Sequence, residues 1–146
     1  DVITKADIDE VCTASVSASV YDMTSAIASG DAQRALTLYK NLRYDQVENI
    51  VILSVISGGF ADMYRALAAA DRGVAMDRAA ADMGYGAMGW KLKNASRLAR
   101  NIGSGKMHRL IETIAETDAD IKSSAADQDI IMEALIMSLI RQIKAV

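Results

Sequence analysis

"IIMEALIMSLIRQI", residues 130–143, holds ten large or medium apolar side chains in fourteen positions. A helix on the surface of a domain needs only an apolar stripe on the side that faces the core. In this segment apolar residues fall on two sides of the predicted helix, which extends from about Asp127 to Lys144. The pattern therefore predicts a helix covered on both sides, either at the centre of its own bundle or between its domain and a second molecule.

Composition extends the helical prediction to the rest of the chain. The 146 residues include no proline, and only 5% of them are aromatic. The absence of proline permits long, uninterrupted helices, and the abundance of Ala, Met, Ile and Leu favours helices over strands. We predict an all-α fold, a compact bundle of about seven or eight helices that forms a single domain over residues 1–146.

The composition also excludes several kinds of site. Cys12 is the single cysteine, so it cannot form an internal disulfide, and His108 has no second histidine or nearby cysteine with which to bind zinc. No apolar run approaches the roughly 18 residues of a membrane span, so no membrane contact is expected. The first residues, "DVITKADIDE", resemble neither a signal nor a transit peptide and lack an initiator methionine. We therefore expect the chain to be a fragment of a longer protein.

Glycines and capping residues divide the first half of the chain into helices. A short helix is predicted at Asp7–Cys12, followed by a polar interval and a second helix that ends at Gly30, a typical carboxyl-terminal stop. Asp31 is a suitable N-cap for the next helix. The longest helix is predicted at about Gln46–Asp71, where Gly58-Gly59 indicates a kink or a close helix crossing.

The second half begins with a short helix predicted over residues 76–84 and a glycine-rich turn. A helix over residues 90–101 follows, and Ser104 is expected to cap a further helix that ends near residue 124.

Two glycine-rich stretches resemble nucleotide-binding motifs but lack their context. "GYGAMG", residues 84–89, matches G-x-G-x-x-G, which binds a dinucleotide only at a strand-to-helix turn, and here the preceding residues predict a helix. "GSGKM", residues 103–107, lacks the earlier glycine and the Ser or Thr of a phosphate-binding loop. Asp118 and Asp120 point in different directions along a helix and make a poor metal or catalytic pair. We predict a domain without catalytic residues, cofactor or metal.

Positive charge is concentrated in one segment of an acidic chain. Residues 83–111 contain six basic residues and no acidic one, whereas the remainder carries ten basic and nineteen acidic residues. Rows of exposed cations attract phosphates without regard to sequence, so the segment predicts weak DNA contact; a merely solvated face is the alternative. The six candidates for DNA contact are Lys91, Lys93, Arg97, Arg100, Lys106 and Arg109.

The basic segment also resembles a helix-turn-helix, because "AAADMG", residues 79–84, precedes a predicted helix that carries several of these cations. A helix that reads base edges usually offers Asn, Gln, Ser or Arg near its start. This helix starts with Ala87, Met88, Gly89 and Trp90. The sequence therefore predicts phosphate contact and no readout of base sequence.

Several sequence segments, taken in their order along the chain, resemble those of one known family. "ITKADIDEV" (3–11) precedes "SVYDMTSAIASGDAQRALTLYKNLR" (19–43), the long apolar helix, the "AAADMG" turn and "ETDADIKSSAADQDIIMEALIMSLI" (116–140). The set resembles the C-terminal domain of the delta subunit of the bacterial DNA polymerase III clamp loader. Gly58-Gly59 departs from it, because the family usually carries bulkier residues there. The positions that fall on the family pattern are Gly30, Asp31, Ala35, Leu36, Asp118, Ile121, Lys122 and Glu133.

The resemblance implies a helical collar domain of a cytoplasmic complex that loads the sliding clamp onto primed DNA during replication. In such loaders the C-terminal domains form a ring that holds the ATPase subunits and delta-prime together above primer–template DNA. The parent complex is classed with DNA-directed DNA polymerase, a nucleotidyltransferase, while the collar domain itself carries no chemistry. The family's N-terminal AAA+-like domains, which include the part that binds the clamp, would precede Asp1.

A collar also explains the closing helix. One side of it can pack in its own domain and the other against a neighbouring subunit, with Ile130, Met137 and Ile140 as candidates for the second side. Two further hypotheses stay open. One is a stand-alone, helix-turn-helix-like DNA-binding domain, and the other is an all-α enzyme domain, for which no acid, base or metal cluster is visible.

Overall fold

Within residues 2–145, seven α-helices account for most of the chain. The computed structural model describes residues 2–145, with side chains described for all of these except residues 7–14. A 3-10 helix, Gly86–Met88, leads into the fifth α-helix, and no strand occurs within residues 2–145. The prediction of an all-α bundle is confirmed. The helices are α1 (Lys5–Ala28), α2 (Ala32–Tyr44), α3 (Asn49–Asp71), α4 (Met76–Asp82), α5 (Gly89–Ala99), α6 (Ser104–Ser123) and α7 (Gln128–Lys144).

α3 is the central helix and packs against α1, α5, α6 and α7. Its inward side includes Ile52, Ile56, Phe60 and Met63, all of them fully buried. Burying one such side chain contributes roughly 1.5–3 kcal/mol relative to leaving it in water. This stripe therefore supplies a shared core for four neighbouring helices.

A second, alanine-rich cluster holds α4 and α5 against the later half of α3. Its small side chains let the three backbones approach closely. The hydroxyl of Tyr85, between α4 and α5, donates to the carboxylate of Asp62, and Arg65 Nη1 donates to the same oxygen at 3.1 Å. These bonds fix the glycine-rich turn on α3. The buried members of the cluster are Ala66, Ala69, Ala79, Ala80 and Leu92.

Local sequence signals correctly placed several helix ends. Gly30 takes the left-handed backbone conformation at φ 78° that ends α1. Asp31 then caps α2, where its carboxylate accepts a hydrogen bond from the backbone N–H of Arg34 at 3.1 Å. Asp127 caps α7 in the same way by accepting from the backbone N–H of Asp129 at 2.8 Å.

Two predicted helix starts were wrong. α1 is one continuous helix over Lys5–Ala28, because its polar stretch contains no glycine or proline and Ser, Thr and Ala are tolerated in a helix. Ser104 does not cap α6: Gly103, at φ 83°, precedes the helix, and Ser104 Oγ donates to Asp71 Oδ2 at 3.2 Å. The side chain of Cys12 lies outside the described residues.

The glycine pair in α3 marks a helix crossing. The helix runs through both glycines without interruption. A Cβ atom on Gly59 would lie 3.0 Å from the methyl carbon of Thr24 on α1, whereas a Cβ on Gly58 would have no heavy atom of the described residues within 4 Å. The predicted close crossing is therefore confirmed at Gly59, and Gly58 faces open space.

α3 is also the one helix within residues 2–145 that is long and apolar enough, by length and composition, to cross a membrane. This corrects the expectation that no apolar segment approaches that length. Ile52, Ile56 and Phe60 place much of its apolar surface in the core of the bundle.

Candidate interface surfaces

α7 has a buried side and an exposed side. Ile140, which the sequence assigned to the outer side, is only 3% exposed and packs in the core, so that assignment was wrong. The reason is its spacing: Ile140 lies four residues after Ile136 and therefore on the same side of the helix. The residues of α7 that are buried are Met132, Leu135, Ile136, Leu139 and Ile140.

The exposed side of α7 carries Ile130, Ala134, Met137 and Arg141, which we call the α7 stripe. Ile130 is 65% exposed and Met137 is 42% exposed. The alternating four- and three-residue spacing places the stripe in one row along the helix, the spacing of a coiled-coil seam. Two large apolar side chains around a small one form a surface on which a helix of another molecule can pack.

A polar cluster fixes the start of α7 beside this stripe. Asp129 Oδ1 accepts hydrogen bonds from Arg43 Nε and from Asn49 Nδ2, both at 2.8 Å. The hydroxyl of Tyr39 lies 2.7 Å from Asn49 Oδ1 and 3.2 Å from Asp129 Oδ1. Ile130 follows Asp129 directly, so the network that joins α2, α3 and α7 also sets the position of the first residue in the stripe.

The cluster shifts the acidity of two of its members. The hydrogen bond from Asn49 lowers the pKa of the Asp129 carboxyl, and the bond from Arg43 and its positive charge act in the same direction. Burial raises the pKa of the Tyr39 hydroxyl, and the negative charge of Asp129 raises it further. Sequence reasoning missed this cluster, because its members come from three helices and form no local motif.

Two of the six predicted DNA contacts are engaged within the domain. Lys93 Nζ lies 2.7 Å from Asp77 Oδ1 at the start of α4. Lys106 donates to the backbone carbonyl of Ile143 at 3.0 Å and to that of Ala145. Lysine side chains at the last carbonyls of a helix stabilise its carboxyl end. The ammonium group of Lys106 is therefore engaged by the end of α7, and its contact with DNA stays a prediction.

The remaining cations are available to different degrees. Lys91 Nζ lies 5.9 Å from the centre of the Trp90 ring, a cation–π arrangement. Arg97, Arg100 and Arg109 are exposed and have no ion-pair partner in the described part of the chain. Arg97 and Arg100 lie three residues apart at the end of α5 and share one side of it. We call these two residues the basic row.

A groove of about 690 Å³ lies between α1, α3 and α5, and we call it the α1–α3–α5 groove. Val55, Met63 and Leu98 contribute apolar lining. Met88 and Trp90 also line the groove and are half exposed. The groove shares no helix with the α7 stripe, so the two are separate surfaces.

No metal or nucleotide site is apparent among residues 2–145. The described side chains contain no group of three or more His, Cys, Asp or Glu residues arranged to hold a metal ion. Gly84 and Gly86 have φ values of 80° and 54° in a turn between two helices, where the strand of a dinucleotide-binding motif is missing.

Comparisons with known proteins agree with this fold. The family model for the DNA polymerase III delta subunit, C-terminal domain, matches residues 17–139. The solved structure of the Bacillus subtilis DNA clamp loader delta protein (YqeN) is similar, with a TM-score of 0.80 and 20% sequence identity. The match covers 95% of this chain and 40% of that one, so this chain spans less than half the length of that protein. No curated protein sequence matches the chain.

Proposed function

This chain belongs to the family formed by the C-terminal domains of DNA polymerase III delta subunits, and we propose that it serves as the collar domain of a bacterial clamp loader in the cytoplasm. Its task would be to hold the delta subunit in the ring of loader subunits that places the sliding clamp on primed DNA. The family match over residues 17–139 carries this proposal, and the all-α fold supports it.

The proposed partners are the ATPase subunits of the loader and delta-prime. We propose that residues 1–146 are the single C-terminal domain of a longer delta chain, whose N-terminal AAA+-like domains would bind the sliding clamp. The collar domain would contribute assembly and no chemistry, while the parent complex works with DNA-directed DNA polymerase, a nucleotidyltransferase.

We propose the α7 stripe as the main contact with a neighbouring subunit. Ile130 and Met137 are exposed and are not part of the hydrophobic core, whereas the other side of α7 is buried. The cluster around Asp129 holds the first turn of α7 in place, so the stripe is ordered before a partner arrives. Apolar groups that are ordered in advance bind at a lower entropic cost.

The experiment compares the double variant Ile130→Ser/Met137→Ser with the wild-type chain in assembly with purified cognate loader subunits. Each substitution removes apolar surface that packing would bury, so the affinity should fall by about tenfold or more, since 1.4 kcal/mol corresponds to a factor of ten. The free energy of unfolding should change little, because both side chains are exposed.

Met83→Ser is the matched control, since Met83 is also exposed, at 45%, but lies at the end of α4. It should assemble like the wild type in gel filtration and calorimetry. Unchanged affinity of the double variant would show that the stripe is not the interface.

Weak contact with primer–template DNA is proposed as part of the same function. The basic row offers two arginines that form no ion pair with the described residues, and such cations suit phosphates of either strand. A stand-alone DNA-binding role has less support, because α5 starts with Gly89 and Trp90 and offers no amide or guanidinium to base edges in its first two positions.

A further inference from the structure

The α1–α3–α5 groove contains features that the bundle itself does not explain. Gly58 lines it, and no heavy atom of the described residues lies within 4 Å of where its Cβ would be. The hydroxyl of Tyr21, which also lines the groove, is shielded from solvent and has no hydrogen-bond partner among the described residues. The Tyr21 hydroxyl is covered by this chain, but the open space above Gly58 is accessible to a side chain of a second molecule.

The rim of the groove has the composition of a protein interface. Trp90 is 52% exposed and Met88 is 50% exposed, although both are large apolar side chains. Tryptophan and methionine are enriched at the centres of protein–protein interfaces, where they flank or fill apolar pockets. The open space above Gly58 supplies the pocket beside them.

Charge at the rim favours a protein partner over nucleic acid. Asp22 and Asp62 both line the groove. Asp22 is exposed and has no ion-pair partner in the described part of the chain, so a phosphate brought in beside a base would be repelled. Lys91 lies over the Trp90 ring, on which a base would have to stack. A basic side chain of a protein, in contrast, would be attracted to Asp22.

A ring of subunits requires two different contact surfaces on each member, because head-to-tail contacts join unlike surfaces. The α7 stripe is one exposed apolar surface, and the α1–α3–α5 groove lies on helices other than α7. On the premise of the proposed collar function, we infer that the groove receives a helix from the collar domain of the second neighbouring loader subunit. That helix would place an apolar side chain over Gly58 and a basic side chain beside Asp22.

Gly58→Leu tests this inference without threatening the fold. Gly58 lies in the middle of α3 with open space around it, and leucine is a better helix former than glycine. The new side chain would fill the groove, so the variant should be at least as thermally stable as the wild type. In a loader reconstituted from the purified cognate subunits, it should lose affinity for one neighbour by tenfold or more.

Gly105→Leu is the matched control, because Gly105 in α6 also has no heavy atom of the described residues within 4 Å of its Cβ position and lies outside the groove. It should assemble normally. Asp22→Lys is a second test and should also weaken binding, since it would repel the basic side chain of the partner. A photo-crosslinker at Ala18, an exposed groove residue, should capture a loader subunit.

Three outcomes would overturn the inference, and they separate it from the proposed function. If Gly58→Leu assembles normally while the α7 stripe variant is impaired, the groove is not an interface, and the proposed collar function stands. Crosslinking of Ala18 to primer–template DNA would show that the groove binds nucleic acid. Failure of the folded wild-type chain to assemble with the loader subunits would overturn the proposed function together with the inference.

Discussion

At the scale of single residues, Asp129 shows how one carboxylate can join three helices. Arg43 approaches from α2 and Asn49 from α3, and both donate to the same oxygen. Asn49 is only 2% exposed, so its amide depends on partners inside the protein. Tyr39 has one hydroxyl proton to share between Asn49 and Asp129, and the shorter distance favours Asn49. The carboxylate therefore satisfies the buried amide of Asn49 in addition to holding α7.

Asp129→Ala should lower the free energy of unfolding by about 1–3 kcal/mol at pH 7, because it leaves the buried amide of Asn49 without an acceptor. The folded-state pKa of Asp129 is lowered from its ordinary value of 3.8, so the ionised carboxylate stabilises the fold above that value. The difference between wild type and variant should shrink as the pH falls below about 4 and through the lower folded-state pKa.

Urea denaturation from pH 7 down to pH 2 measures this difference. Asp120→Ala is the control, since Asp120 is exposed on α6 and has no ion-pair partner among the described residues. It should change the stability by no more than about 0.5 kcal/mol. Equal stability of Asp129→Ala and wild type at pH 7 would contradict the structural role of the cluster.

At the scale of helices, the two adjacent glycines of α3 have different roles. Gly59 lets α1 cross α3 closely, with the Thr24 side chain against it. Thr24 is buried, and its hydroxyl donates to the carbonyl of Val20, which limits how far the side chain can move. Gly58 has no such neighbour and contributes only an unfavourable helix propensity to the isolated domain.

Gly58→Ala should raise the free energy of unfolding by about 0.5–1 kcal/mol, since alanine is the better helix former and meets no neighbour. Gly59→Ala should gain less, because its Cβ would lie 3.0 Å from the Thr24 methyl carbon. The two variants are each other's control in chemical denaturation, as they share a helix and a substitution. A larger gain at Gly59 would show that the crossing is loosely packed.

Local chemistry also explains which helix boundaries were predictable. Gly30, Asp31 and Asp127 act through bonds within a few residues, so the sequence alone indicated them. Ser104 has the same capping chemistry but bonds Asp71, which is 33 residues away. The sequence did not predict that α1 is continuous, because a polar stretch without glycine or proline is compatible with either a helix or a linker.

For α7, too, the sequence alone could not decide which residues form the candidate interface. The sequence correctly indicated a helix apolar on two sides, and both Ile130 and Met137 are exposed. It could not separate Met137 from Ile140, since the choice of the buried side depends on where α1, α2, α3 and α6 pack. The α1–α3–α5 groove had no signal beyond the glycine pair, because its lining comes from three separate helices and the turn before α5.

At the scale of the whole molecule, tertiary contacts reduce the positive charge of the basic segment. The chain has a net charge of −3, and its six clustered cations stand out by sequence. Asp77 neutralises Lys93, and the carboxyl end of α7 engages Lys106. These partners come from other helices, so counting the charges within residues 83–111 does not reveal them. The basic row, Arg97 and Arg100, is therefore the best place to test for DNA contact.

Arg97→Glu/Arg100→Glu should lower the affinity of the assembled loader for primer–template DNA, because the row loses two cations and gains two anions. Removing one arginine–phosphate interaction should reduce the slope of log affinity against log salt by about 0.9 for duplex DNA, so the slope should fall by about two. Arg34→Glu/Lys40→Glu is the control, since it changes the net charge equally at exposed positions of α2. Equal salt slopes for the two double variants would identify the row as a solvated face. A smaller slope in the first variant alone would place Arg97 and Arg100 against the phosphates, because a general change of net charge would affect both variants alike.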